Sequence, residues 1–300
     1  MGTGTIFDSR LHDTASAIVY ASQKGLASFP LSDTHYIETL RRGDPRSRQD
    51  LGSAMHQISR SHRIASLVDL FQPEVEYAFS VHFGFKPLPK PYPFGIGMKF
   101  AFGRPDESYF SSAEAEARAV AKHGREVVDD VFEAGLIMGP DYKIPSGGIG
   151  RPGLSWSQKQ LDGEREITRR ITDHGHSPDL ARRVILHEES VHFIDPVVKL
   201  ALQNGMPTTG LFESREEMEA FLFAMPSKGV LTRMRMSAHE NANFKWEIGD
   251  LGDLAALSVA AAYCDIVVCE KKWGSILNRH ASNLNATVIT DLRDLLPLLL

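Results

Sequence analysis

Apolar residues recur three and four positions apart over most of this chain, and run together as short extended stretches mainly near its two ends. Ala15, Ile18, Val19 and Ala21 place an apolar stripe on a helix over 13–24. Ser28-Phe29-Pro30-Leu31 predicts a short extended piece, because the residue before a proline is pushed out of the α region. Ser32 or Asp33 can cap a helix that begins near Thr34 and stops around Gly43-Asp44-Pro45. Leu51, Met55, Ile58 and Ile64 predict another over 46–64. Residues 84–110, rich in Pro, Gly and Phe, read as an ordered loop. Helices are predicted over 112–137, 155–173, 178–204 and 213–224, with the Gly- and Pro-rich segment 139–153 separating the first two.

The ends carry a different pattern. Thr5-Ile6-Phe7 reads as a strand ending at Asp8. Asp250 and Asp253 open an apolar helix, LAALSVAAAYC, followed by a strand from Asp265 to Glu270 and a helix from Lys271 to about Arg279. A second strand, Ala286–Ile289, precedes a helix containing Leu292, Leu295 and Leu296. Short apolar strands alternating with helices predict an α/β fold whose parallel sheet is covered on both faces. Residues 1–83 and 241–300 then supply its two halves, and 84–240 form a mainly helical insertion.

Composition narrows the context. The 300 residues are 42% hydrophobic and 24% charged, which excludes disorder and a disulfide scaffold. Lys plus Arg total 33 against 38 Asp plus Glu, a net charge of −5 that excludes a generic basic coat for nucleic acid but not a local basic rim. Cys264 and Cys269 lie in an apolar run and read as reduced core residues, which suits the cytoplasm. The N-terminus shows no basic segment followed by an apolar one, and no apolar run reaches 18 residues, so neither secretion nor a membrane span is expected.

The positions of the acids suggest chemistry. In open α/β sheets, functional groups gather beyond the carboxyl ends of the strands. Asp8, Glu38, Asp253 and Glu270 fall at or near such positions, with Asp250 one turn before Asp253. Carboxylates converging there need a cation, and oxygen ligands with water suit Mg²⁺ or Mn²⁺. Such an ion activates water for attack on a phosphodiester. The same acids also serve as helix caps or dipole partners, and both readings stay open.

Three segments, FPLSDTHYIETL, DPRSRQDLGSAMHQIS and GDLGDLAALSVAAAYCDIVVCEKKW, resemble the PIN-domain ribonucleases over roughly residues 28–65 and 240–295. The resemblance implies a PIN-like parallel sheet flanked by helices and a Mg²⁺- or Mn²⁺-dependent endoribonuclease of toxin or defence type. It further implies RNA as substrate, an antitoxin or other protein partner, and a homodimer. Glu38 matches the family's second acid, Asp253 the third with Asp250 as competitor, and Glu270 the fourth. Two alignments fit the N-terminus. In one, Asp8 is the first acid. In the other, residues 8–24 are the following helix, the first strand is missing, and the chain is an inactive binding protein acting through a protein or RNA partner. Arg41, Arg42, Arg46 and Arg48 after Glu38, and Lys271 and Lys272 after Glu270, form a basic rim suited to phosphates, or else solvated helix ends.

Four other groups of residues read as decoys. His187 and His192 are five apart, which turns the second ~140° away from the first on a helix and prevents a shared zinc. Gly148-Ile-Gly150-Arg-Pro-Gly153 lacks a preceding apolar strand and reads as an ordered loop rather than a dinucleotide site. His174 and His176 read as a surface turn, and Met234 and Met236, with Phe221 and Phe223, as core.

Overall fold

The computed structural model describes residues 9–103, 108–138 and 154–299. In chain order these form α1 (Ser9–Gln23), α2 (Asp33–Leu40), α3 (Pro45–Ser59), β1 (His62–Ile64), α4 (Leu67–His82), β2 (Phe94–Ile96), α5 (Met98–Ala101), α6 (Ala113–His123) and α7 (Arg125–Met138). There follow α8 (Leu154–Asp173), α9 (Pro178–Gln203), α10 (Arg215–Ala224), α11 (Pro226–Glu240), α12 (Ile248–Tyr263), β3 (Ile266–Val268), α13 (Lys271–Arg279), β4 (Thr287–Ile289) and α14 (Leu296–Leu299). Single 3₁₀ turns occupy Ala281–Asn283 and Leu292–Leu295. The chain divides into two compact units, one of residues 1–65, 94–151 and 289–300, the other of 66–93 and 152–288. Residues 84–240, read from the sequence as an insertion, therefore contribute to both.

In the first unit, Asp44 caps α3, accepting from the backbone N–H of Arg46 and Ser47, with Pro45 at the first helical position. The helix expected over 46–64 stops at Ser59 because Arg60 and Ser61 take positive φ, 47° and 61°, which no helix of L-residues can continue. The chain then enters β1, which pairs antiparallel with β2, His62 opposite Ile96. Leu31 joins β1 through one parallel bridge to Arg63. Pro30 beside it has no N–H to extend the pairing. The helix expected over 112–137 is two helices, broken at Gly124 with φ +88°. Leu31, Tyr36, Met98 and Ala101 form the small apolar core, next to a buried Arg63–Glu133 ion pair.

The second unit is built around α11. Eleven of its residues are buried, from Ser227 to His239, and it packs against α4, α9, α10, α12 and α13. One core cluster joins α11 to α12, β3, α13 and β4 through Met234, Leu254, Val267 and Trp273. Another joins α4, α9 and α10 through Phe79, Phe193 and Phe221. Gly229 marks the tightest approach, since a Cβ there would meet the Cα and carbonyl oxygen of Phe223 at 3.2 Å.

The parallel sheet of a PIN-like α/β fold, expected from the sequence, is not what the chain forms. Among the described residues each strand is three residues long and the strands pair only two by two, β1 with β2 in antiparallel sense and β3 with β4. Two-stranded pairs of this length are not stable cores by themselves. The apolar area lies instead on helices, including α4 and α11, which the periodicity did not reveal. The strand expected over 265–270 contracts to Ile266–Val268. The strand expected at Thr5–Phe7, and Asp8, lie outside the described residues.

Candidate anion-binding site

The predicted acids divide between the two units. Glu38 is exposed on α2 in the first, and Arg41 donates to its Oε1 at 2.7 Å. Asp250, Asp253 and Glu270 meet at one corner of the second, where the starts of α12 and α13 adjoin. Asp250 is buried, accepts from the backbone N–H of Glu247 at 2.8 Å and pairs with Lys272. Asp253 accepts from the indole Nε1 of Trp273 at 2.9 Å, and exposed Glu270 occupies the N-cap of α13. Cys269 feels this corner: burial first, then the charges of Asp253 and Glu270, push its thiol up to about 11. Among the described residues, no group of three or more His, Cys, Asp or Glu side chains is placed to hold a metal ion.

The predicted basic residues also separate. Arg41 is committed to Glu38, Arg42 donates to Ser47 at 2.9 Å, and Arg46 is exposed. Arg48 is buried, Lys271 is exposed, and Lys272 is committed to Asp250. Of the decoys, His187 and His192 are both exposed on α9, His176 donates from Nε2 to the carbonyl of His239 at 3.0 Å, and Met234, Met236 and Phe221 are core. The 148–153 loop lies outside the described residues.

The most suggestive concavity was not foreseen. It lies in the second unit, has a volume of about 410 Å³, and is bounded by α11, the 3₁₀ turn at Ala281–Asn283 and the segment before β2. It is open to solvent on one side, so a ligand there would be cradled and not enclosed. Arg233 and Lys90 supply its charge, and none of its lining residues is acidic.

Arg233 holds its place by stacking. Its guanidinium carbon lies 4.0 Å from the centroid of the Phe223 ring, a cation–π arrangement. No hydrogen bond or ion pair among the described residues engages its five N–H donors, although the side chain is half-buried. Burial, only partly offset by the charge of Glu219, pulls its affinity for the proton below the ordinary value. A guanidinium removed from water and left without an acceptor is an incomplete interaction that an anion completes.

Lys90 is placed by two contacts. Its Nζ donates to the carbonyl of Ala262 at 2.9 Å and sits 4.5 Å from the centroid of the Tyr263 ring. Partial burial draws its pKa down, against the raising charge of Glu74. On the third side, Asn285 fastens the turn to the end of α12, with its N–H on the carbonyl of Ala261 at 3.2 Å and its Nδ2 on that of Cys264 at 3.1 Å. Ser282 and Asn283 add a hydroxyl and an amide to the rim, and Val230 and Leu284 an apolar wall.

A buried charge network keeps α11 in register beneath this pocket. Glu74 accepts from the N–H groups of Ser227 and Lys228 at 2.8 and 3.1 Å and from the Tyr263 hydroxyl at 2.8 Å, so a carboxylate from α4 caps the start of α11. Arg235 bridges Glu189 of α9 and Glu164 of α8, and Lys228 pairs with Glu189 as well. His239 Nε2 lies 2.8 Å from Glu164 and its Nδ1 3.0 Å from the Thr168 hydroxyl. Burial outweighs Glu164 and lowers the His239 pKa, and around Arg235 the carboxylates of Glu164 and Glu189 face the cations of Arg235 and Lys228. Two residues apart on one helix, Arg235 is committed and Arg233 is not.

The sequence signal that could have found the pocket is the triplet Arg233-Met234-Arg235 within a run of apolar and small residues: cations in such a run need partners. Comparison with known protein families, with curated proteins and with solved structures finds no match to this chain.

Proposed function

We propose that the chain is an RNA-binding protein that seats a phosphate of its ligand between Arg233 and Lys90. The observation that carries this reading is the half-buried guanidinium of Arg233, stacked on Phe223 and without a protein acceptor among the described residues. With a net charge of −5, bulk attraction cannot supply the affinity, so the contact must be local. One or two phosphates in such a pocket give single-stranded binding a shallow salt dependence, log K against log[salt] falling with a slope of about −0.7 to −1.4. Fluorescence anisotropy of labelled single-stranded RNA tests this. A charge-assisted hydrogen bond contributes about 1.5–3 kcal/mol, so Arg233→Ala is expected to weaken binding by at least about tenfold. Equal affinity of wild type, Arg233→Ala and Lys90→Ala would overturn the reading.

Metal-dependent RNA cleavage, implied by the PIN-domain resemblance, is the second reading. Asp250 and Asp253 lie near Glu270 at the α12–α13 corner, where Lys272 holds the first and Trp273 the second, so a divalent ion would have to displace those contacts. Incubating the same RNA in Mn²⁺ or in EDTA, with wild type and a Glu38→Gln, Asp253→Asn double variant, separates the two. Cleavage lost in EDTA and in the double variant supports a nuclease; intact RNA in every arm leaves binding alone.

A further inference from the structure

We infer that the pocket takes a terminal phosphate monoester, the phosphorylated end of an RNA, rather than a phosphodiester within the strand. The inference rests on the RNA-binding reading above and concerns which phosphate enters. Charge matching comes first. Two cations line the cavity and no carboxylate does. A monoester carries about −1.5 to −2 charges at pH 7, whereas an internal diester carries one. The monoester therefore balances both cations, and a diester leaves one of them uncompensated in a partly desolvated place.

Hydrogen-bonding capacity agrees. A monoester presents three terminal oxygens and a diester two. Around the cavity stand the guanidinium of Arg233, the ammonium of Lys90 with one donor already committed to Ala262, the hydroxyl of Ser282 and the amide of Asn283. The Arg233 fork is held flat by Phe223, so little side-chain freedom is lost when it binds an anion. The wall formed by Val230 and Leu284 can take the apolar edge of the end nucleotide, and about 410 Å³ accommodates a compact end group.

The test compares one labelled RNA sequence with a 5′-phosphate, with a 3′-phosphate, and with hydroxyls at both ends, titrated against the full chain. At least tenfold tighter binding is expected for one phosphorylated end over the dihydroxyl RNA, and which end shows it identifies the source. That preference should fall to within about twofold in Arg233→Ala and in Lys90→Gln, with urea midpoints near that of wild type showing that both variants fold. Arg233→Lys should keep the charge but lose part of the preference, because the fork is gone. If all three RNAs bind wild type alike while Arg233→Ala weakens all of them, the terminal-phosphate inference fails and the RNA-binding reading stands. If none binds, both fail.

Discussion

Replacing Arg233 and Arg235 one at a time with alanine should produce opposite phenotypes, although the residues are two apart on α11. Arg235 is 9% exposed, and burial works against its charge, but Glu189 and Glu164 outweigh that and raise its pKa. Its loss leaves Glu189, 1% exposed, with Lys228 alone and Glu164 with His239 alone. Removing one partner from a buried ion pair costs about 3–5 kcal/mol, because the remaining charge stays desolvated. Arg233→Ala forfeits a half-buried cation–π contact worth about 0.5–2 kcal/mol, while the desolvation of an unpaired guanidinium is relieved. Its net effect on stability should therefore lie within about 1 kcal/mol of zero. Urea unfolding followed by tryptophan fluorescence reads this directly, since Trp246 and Trp273 are buried in the same unit. Wild type and Arg233→Ala should share a midpoint, with Arg235→Ala well below both; RNA affinity at low urea should rank the variants differently, with Arg233→Ala defective and the folded fraction of Arg235→Ala near normal. A cost below 1 kcal/mol for Arg235→Ala, or equal costs for the two variants, would refute the assignment of structural and binding roles.

Three further outcomes are expected. Glu74→Ala removes the acceptor of three buried or half-buried donors, each costing about 1–3 kcal/mol when stranded, so the unfolding midpoint of the second unit should drop by at least about 3 kcal/mol equivalent, and Glu74→Gln by less. Burial opposes the charge of Glu116 in the first unit, yet Lys99, Ser108, Arg125 and the N–H of Tyr109 hold its carboxyl down at about 2. A depressed carboxyl stabilises fully above its unfolded value near 4.3 and loses that contribution as pH falls toward 2. Wild type should thus lose up to about 3 kcal/mol across that window relative to Glu116→Gln, by thermal melts at stepped pH. Burial raises the Cys264 and Cys269 thiols to about 11 each, so at pH 8 alkylation by iodoacetamide should run roughly two hundred-fold slower than that of a free thiol, and urea should abolish the difference.

Local signals in the sequence carried the helices with a polar face and a cap. Ser177-Pro178 starts α9 with the Ser177 side chain accepting from Leu180 N–H, whereas Asp44-Pro45, which reads as the end of the preceding helix, caps the start of α3. Alternation of helix and strand near the ends was legible too, but its extent was not. The apolar run around Ile266-Val267-Val268 looks the same whether it belongs to a wide sheet or to a three-residue pair, and only its tertiary neighbours decide. The candidate pocket was illegible for a related reason. α11 is buried on nearly every side, so its residues show no amphipathic stripe, and its polar members are matched by acids 39 to 154 positions away.

That same burial explains why α11 can organise a binding site. A helix packed on five neighbours cannot adjust its rotation to shelter a stray cation, because Gly229 leaves little room for even a Cβ against the backbone of Phe223 and Arg235 is tied to two other helices. Arg233 is consequently held half out of water at a fixed height, stacked on the ring of Phe223. An unpaired cation on a loose surface helix would swing into solvent and signify nothing. On this one it is held at a pocket by the surrounding core, which is the preorganisation that an anion needs from its receptor.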